Sequence, residues 1–509
     1  MILFALHTPL LFLIALTTSL SATDYHVSNK GRDEADGLTP ATAWNSLKRV
    51  NEATFQPGHQ LLFQSGNQWT GFLRPQGSGM QDRPIRLGRY GEGALPLIVV
   101  GEQAGVVVRF ENQDFWEISD LEIVGNKAKP DQVVGGIHFV ANTAGRILRH
   151  IVVRDCVIRN LGGSFKEYES CAIWVGVEGW NREHGLTTTF EWVSIENNQI
   201  RDTGRCGILV WTCASPAGQG AGQSMFRDGL LPSKHVTIRR NRIEDLGGDA
   251  ILVLSSEDPL IEYNTVHRAC LRTGDPAFPV HEGYNPHSAA VWLHSSLGGV
   301  IQFNQVSDSG KQPGNNDGMA FDFDFNCKNC LLQYNLSQNN VGGFLLIMQS
   351  ARDNIARYNL SLNDRDHLLY LNGQLEENNL VHNNTFHLWE GMENYLILRA
   401  RIVNNIFHVT GSATLEERDA DTGGCSNNCY SGNWKRQPED PLKLTADPRF
   451  HNPVPGVDMA AISENYSLSQ DSPCLRRGIA IPRNGGRDLN GSIVSESTPP
   501  DLGALQQSK

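Results

Sequence analysis

The densest group of carboxylates in the chain lies within 315–335, NNDGMAFDFDFNCKNCLLQYN. Phe321, Phe323 and Phe325 alternate with Asp322 and Asp324. A period of two is the signature of a half-buried strand, so the phenylalanines should point inward and the aspartates outward. Asp317 sits just upstream in a turn-forming Asn-Asp-Gly. Three carboxylates this close repel one another, so the group must hold a cation, take a positive neighbour, or keep one acid protonated. Each outcome is useful for acid–base chemistry.

The elements that would position these acids recur along the chain. GGIHFV, CAIWVG, CGILVW, DAILVL, AAVWLH, MAFDFD and GGFLLI align as strands opened by two mostly small residues and then an apolar one. With Ile173, Ile208, Ile251, Val291 and Phe321 facing the core, the residues Trp174, Trp211, Trp292, His294, Asp322 and Asp324 share the outer face of one sheet. Indole rings suit the apolar faces of sugars, and carboxylates among them suit chemistry on glycosidic bonds. The alternative is that inserted loops fold over these tryptophans and bury them. His294 lies one repeat before the aspartates, ~4.8 Å away if the repeats stack, within reach of a shared proton. The candidate catalytic residues are therefore Asp317, Asp322, Asp324 and His294, with Trp174, Trp211 and Trp292 as substrate contacts. The bland readings are a turn role for Asp317, an ion site for the aspartates and a solvated His294.

A second alignment sets the period. IENNQI, IRRNRI, IEYNTV, IQFNQV, LQYNLS, ARYNLS, VHNNTF and IVNNIF place Asn198, Asn241, Asn264, Asn304, Asn335, Asn359, Asn384 and Asn405 at one position, and VVRDCVI reads as an earlier copy with Asp155 there. The shortest spacings are 21 to 25 residues, and the longer ones are the same unit with an inserted loop. A unit of that length with short strands and no helix is one coil of a parallel β-helix. The leucine-asparagine signature of leucine-rich repeats is absent. Stacked asparagine amides should form an internal ladder; direct sugar contact is the rival role. The fold expected is all-β, a right-handed parallel β-helix with a short N-terminal capping helix over 43–55 and irregular C-terminal covering. The divisions are 1–21, 22–100 with the cap and first strands, 101–418 with the coils and loops, and 419–509 with the last coils and covering.

The chain has 509 residues and 50 glycines, which favours an architecture that grows along one axis over a single core. Its 43 basic and 55 acidic side chains leave a formal charge of −12, which argues against nucleic acid as a partner. An apolar run and a small-x-small pattern before residue 22 read as a secretory signal peptide, so a secreted, extracellular or periplasmic protein is expected, with no membrane anchor after its removal. Export would permit disulfides, with Cys327/Cys330, Cys425/Cys429 and Cys206/Cys213 as locally spaced pairs. Zinc is disfavoured because Cys327 and Cys330 lack two further ligands at matching spacing. Long insertions bring Lys166, Glu167, Glu169, His184, Arg227, Arg272, Asp275, His281, Glu282, His287 and Lys311 towards the same face.

The opening DYHVSNKGRDEADGLTPATAWNSLKRVN, the motif FQPGHQLLFQSG and the ending DPRF, NYSLSQDSPC, DLGAL resemble secreted bacterial right-handed parallel β-helix proteins, among them polysaccharide lyases and glycoside hydrolases. Asn316-Asp317-Gly318 is similar to the Asn-Thr-Asp-Gly of polygalacturonase-type glycosidases, without the Asp-Asp and Gly-His-Gly that should follow. The resemblance implies a monomer acting on an extracellular polysaccharide. A glycoside hydrolase would use the groove carboxylates and require no cofactor. A lyase on a uronate polymer would hold calcium with Asp317, Asp322 and Asp324 and use Lys311 or Arg352 as base. A non-catalytic carbohydrate-binding or adhesion protein would use the aromatic face alone.

Overall fold

The structure is a computed structural model that describes residues 22–127, 132–143, 145–178, 188–211, 232–272, 287–311, 317–374, 377–391, 393–419 and 424–507. Three parallel sheets run the length of a solenoid, with 15, 13 and 12 strands among the described residues. Each coil contributes a strand to each sheet in turn. In the third sheet Ile173, Ile208, Ile251, Val291 and Phe321 are successive partners and are fully buried, as the alternation demands. The glycine-led string GGFLLI is the exception: Phe321 pairs with Leu345, so the register begins one residue later than the aligned letters suggest. Phe344 takes the place of the small Ala320, and its ring packs edge-on against Phe321.

The corner between the first and second sheets carries the asparagine ladder. Asn198 Nδ2 donates to Asn241 Oδ1, Asn241 to Asn264, Asn264 to Asn304, and Asn304 to Asn335, at 2.9–3.1 Å. The series continues through Asn359, Asn384, Asn405 and Asn428 and ends on Asp440. The residue before each asparagine adopts a left-handed conformation, as at Arg240, Tyr263, Phe303 and Tyr334, and turns the chain so that the next amide points inward. Asp155 belongs to that turning position and not to the ladder. Cys156 occupies the ladder register, its N–H donating to Asn198 Oδ1 at 3.1 Å.

The N-terminal helix is shorter than the apolar spacing suggests and spans Leu47–Asn51. Ser46 caps it by accepting the Arg49 N–H, while Phe55 N already donates to Gln76 O beside an isolated bridge from Thr54 to Gln76, so the chain is extended by then. Trp44, Leu47, Val50 and Phe55 are all buried against the first coil, as a cap requires. At the other end Phe450, Val457, Ile462, Tyr466 and Leu468 form a separate apolar cluster with Leu336, Leu360 and Ile406. Among the described residues no helix is long and apolar enough to cross a membrane.

Candidate active site

The outer face of the third sheet carries the candidate residues in two columns. Trp174, Leu209, Leu252, Trp292, Asp322, Leu346 and Tyr370 are partners in successive coils. Trp211, Leu254 and His294 form the parallel column, which Asp324 extends through its N–H to Leu293 O. Asp322, Asp324, Asp317 and His294 are thus brought together.

Asp322 is the buried member, 5% exposed. Its Oδ1 has no protein partner among the described residues. Burial, with Asp324 and Asp317 beside it, raises its pKa well above the ordinary carboxyl range. Of the three acids it is the one whose surroundings most favour the protonated form, one of the three ways out of the repulsion. Asp324 is more open. One oxygen accepts the Phe325 N–H at 2.7 Å and the other lies 3.7 Å from His294 Nε2. Burial raises its pKa, and the His294 ring opposes the shift. Asp317 meets the ring of His287 at 2.5 Å, and this bond raises the histidine's pKa. Gly318, at φ 102°, lets the chain pass: a Cβ there would meet Gly310 O at 2.9 Å.

The three tryptophans face outward as their register requires, but they are not an open platform. Trp174, Trp211 and Trp292 are 3–6% exposed and pack with Val140, Cys171, Leu209, Leu252 and Leu254. Apolar neighbours in adjacent coils and Tyr168 of the insertion cover them, so the expected sugar-stacking face is instead a second hydrophobic layer. Trp292 anchors it by donating to Asp249 Oδ1 at 3.0 Å. Asp249 is fully buried and pairs with Arg205 at 3.1 Å, and the guanidinium is clasped between the rings of Phe165 and Tyr168. Neither Asp249 nor Arg205 was among the sequence candidates. The visible signal was Asp249 as the one acid opening DAILVL, where the other strings open with a small residue, Cys or Met.

Among the described residues no three His, Cys, Asp or Glu side chains converge as a metal site. Lys311 is tied to Asp366 and to His367, and burial lowers its pKa to about 8. Arg352 bridges to Lys328 in the strip that links Leu297, Lys328 and Arg352, away from these columns. Lys166 and Glu167 are exposed, and burial raises Glu169. His184, Arg227, Asp275, His281 and Glu282 lie outside the described residues, as do 1–21 and Cys213. The described cysteines are buried thiols, and Cys206 sits beside Cys171 of the preceding coil.

Several known proteins are similar to this chain. A lacto-N-biosidase of Bifidobacterium longum subsp. longum is 25% identical over an alignment covering 85% of this chain and 32% of the relative. The chain thus spans about a third of the length of that curated relative. The crystal structure of the GH136 lacto-N-biosidase from Eubacterium ramulus superimposes with a TM-score of 0.61 at 21% identity, over 83% of this chain and 68% of that one. XylC in complex with xylose superimposes with a TM-score of 0.52 at 11% identity, over 96% and 99%. These structures share the fold. The model of the "Right handed beta helix region" family matches residues 176–437, more than half of the sequence, and the chain belongs to that right-handed β-helix family.

Proposed function

We propose that this protein is a glycoside hydrolase that cleaves a glycan lying across the outer face of the third sheet. The observation that carries the reading is the unequal treatment of three neighbouring acids. Asp322 is buried with an open oxygen, whereas Asp324 and Asp317 reach the surface beside His294 and His287. Hydrolysis of a glycosidic bond needs one carboxyl to protonate the leaving oxygen and another to attack the anomeric carbon or activate water. Asp317 and Asp324 are the pair assigned to those two tasks, and Asp322, kept neutral, donates a hydrogen bond to the sugar or to Asp324. His294 holds the Asp324 carboxyl in place. The two lacto-N-biosidases named above support the reaction class and suggest a lacto-N-biosyl oligosaccharide as substrate. The protein would act as an exported monomer on extracellular glycans and need no metal.

A lyase would need a free base and a carboxylate-neutralising cation. Lys311, one of the two bases open to that reading beside Arg352, is tied to Asp366 and His367, which favours hydrolysis. The test is a substrate panel containing an aryl lacto-N-bioside, neutral oligosaccharides and uronate polymers, followed both by new reducing ends and by absorbance of unsaturated products. Hydrolysis gives reducing ends alone. Unsaturated products would overturn the proposal in favour of elimination, and sugar affinity without turnover would leave a binding protein.

A further inference from the structure

Two coils beyond Met319, ~10 Å along the solenoid axis from the carboxylates, the same outer face carries a second polar cluster that the proposed chemistry does not use. His367 and Tyr395 are partners across adjacent strands, and the register shifts immediately after them, so that Leu368 has no opposite number. Bulges of this kind re-aim side chains beside functional sites. Here the result is a chain of contacts. Tyr395 Oη bonds His367 Nε2, while His367 Nδ1 lies 3.1 Å from Asp366 Oδ2 and 3.2 Å from Lys311 Nζ. Lys311 in turn pairs with Asp366, whose backbone N–H is held by Asn394 Oδ1 at 2.9 Å. The Arg418 guanidinium lies 4.1 Å over the Tyr395 ring and fixes its plane.

We infer that Lys311, Asp366, His367 and Tyr395 form a binding subsite whose working group is the Tyr395 hydroxyl and whose ligand is a hydroxyl group of an uncharged sugar. The inference rests on reading the groove as a glycan site.

The argument is one of hydrogen-bond bookkeeping on the imidazole. Burial and the Lys311 charge push His367 down to about 3, so the ring is neutral, with one donor and one acceptor nitrogen. In one tautomer Nδ1–H donates to Asp366 and Nε2 accepts the Tyr395 proton, which leaves lone pairs on Tyr395 facing outward. In the other, Lys311 donates to Nδ1 and Nε2–H donates to Tyr395, which leaves the phenolic O–H facing outward. Tyr395 is half-buried, and among the described residues this contact is the one hydrogen bond of its hydroxyl. A group that can both donate and accept matches either state, and a sugar hydroxyl is such a group. A carboxylate only accepts and an ammonium only donates, so each suits one state alone. The Lys311 charge is met by Asp366, which removes the attraction for an anion.

The experiment is calorimetric binding of lacto-N-biose, cellobiose, xylobiose and a uronate disaccharide to the Asp324→Asn protein, which blocks turnover. Tyr395→Phe deletes only the hydroxyl and should raise the Kd of the preferred neutral sugar roughly fivefold, the scale of one neutral hydrogen bond, with the fold retained and melting lowered by no more than a few degrees. His367→Gln should weaken the same sugar to a similar degree. An unchanged Kd in Tyr395→Phe, tighter binding of the uronate, or no binding of any of the four would overturn the subsite. Hydrolysis by the unmodified protein is measured separately. Sugar affinity that depends on Tyr395 without turnover would keep the subsite and remove the hydrolase, whereas turnover with a Kd indifferent to Tyr395 would do the reverse.

Discussion

The corner between the first and second sheets and the groove over the third both bury polar side chains, and they treat them in opposite ways. In the corner every coil from Asn198 to Asn428 supplies an asparagine. Asn304 Oδ1 accepts from the Asn264 N–H and amide, and its own amide donates to Asn335, Ile261 O and Gln302 O, so its valences are used. In the groove successive coils supply Trp292, Asp322, Leu346 and Tyr370, no two alike. Asp322 Oδ1 and His294 Nδ1 end there without a protein partner among the described residues. Buried polar groups are normally satisfied, and the exceptions ask for an explanation. A polar residue repeated in every coil is paired with its own copies and holds the fold. One that breaks the column is paired with nothing identical and is available to a ligand.

The largest effect that would sharpen this contrast is on rate. Asp324→Asn and Asp317→Asn should each lower turnover on the true substrate by ~10²-fold or more, the scale of acid or base catalysis, while melting stays within a few degrees of the parent. Added azide should restore turnover in one of the two, which identifies the carboxylate that faces the anomeric carbon. Full activity in both would show that the groove acids are structural after all.

The next effect is on stability and runs the other way. Asn304→Ala takes the acceptor from the Asn264 N–H and a donor from Ile261 O, while the Asn264 amide keeps Ile238 O and Gln302 O keeps the Tyr263 N–H, at ~1–3 kcal/mol for each group left unsatisfied. Urea unfolding should therefore show a loss of ~2 kcal/mol or more. Asp322→Asn removes a carboxyl that burial already disfavours as an anion, and should leave stability unchanged or slightly higher. If Asp322→Asn proved the more damaging of the two, the division between paired and open polar groups would fail.

That division also governs how much of the molecule could be read from its letters. The coil period, the inward asparagines and the outward set of Trp174, Trp292, His294, Asp322 and Asp324 follow from periodicity alone, because each is a local alternation repeated many times. Register slips were not readable where the marker letter changed: Asp155 for Cys156, and GGFLLI with a phenylalanine where other coils have a small residue. The burial of the tryptophans depends on what the insertions place over them, such as Tyr168, and no local pattern states it. The Arg205–Asp249 and His367–Tyr395 contacts join residues 44 and 28 positions apart through stacking. Only the polar outlier Asp249, opening DAILVL, hinted at the first of them.

The smallest effect concerns acid, and it compares the C-terminal covering with the groove. His387 is buried beneath the covering, with Nδ1 at 3.1 Å from Tyr466 OH and Nε2 at 3.0 Å from Thr410 Oγ1, and its ring lies 4.8 Å from that of His408. Burial pushes His387 down to about 3 and His382 to about 4, and lowers His408 as well. An unfolded histidine titrates near 6.5. Below that value the unfolded chain binds a proton at each site that the folded chain refuses, down to about 3 at His387 and about 4 at His382. Stability from these groups is therefore whole above pH ~6.5 and declines as pH falls, by up to ~1.4 kcal/mol per unit for each histidine. Asp364, raised by burial to about 6, works oppositely: its contribution declines as pH rises from its ordinary value through about 6. His387→Gln keeps a polar partner for Tyr466 without the titration, so its acid unfolding midpoint should fall relative to the parent while the groove variant Asp322→Asn leaves that midpoint alone. The emission of Trp389, whose ring lies 5.1 Å from His387, provides a local readout of the covering. An acid midpoint identical in His387→Gln and the parent would show that the covering is not where protons open this protein.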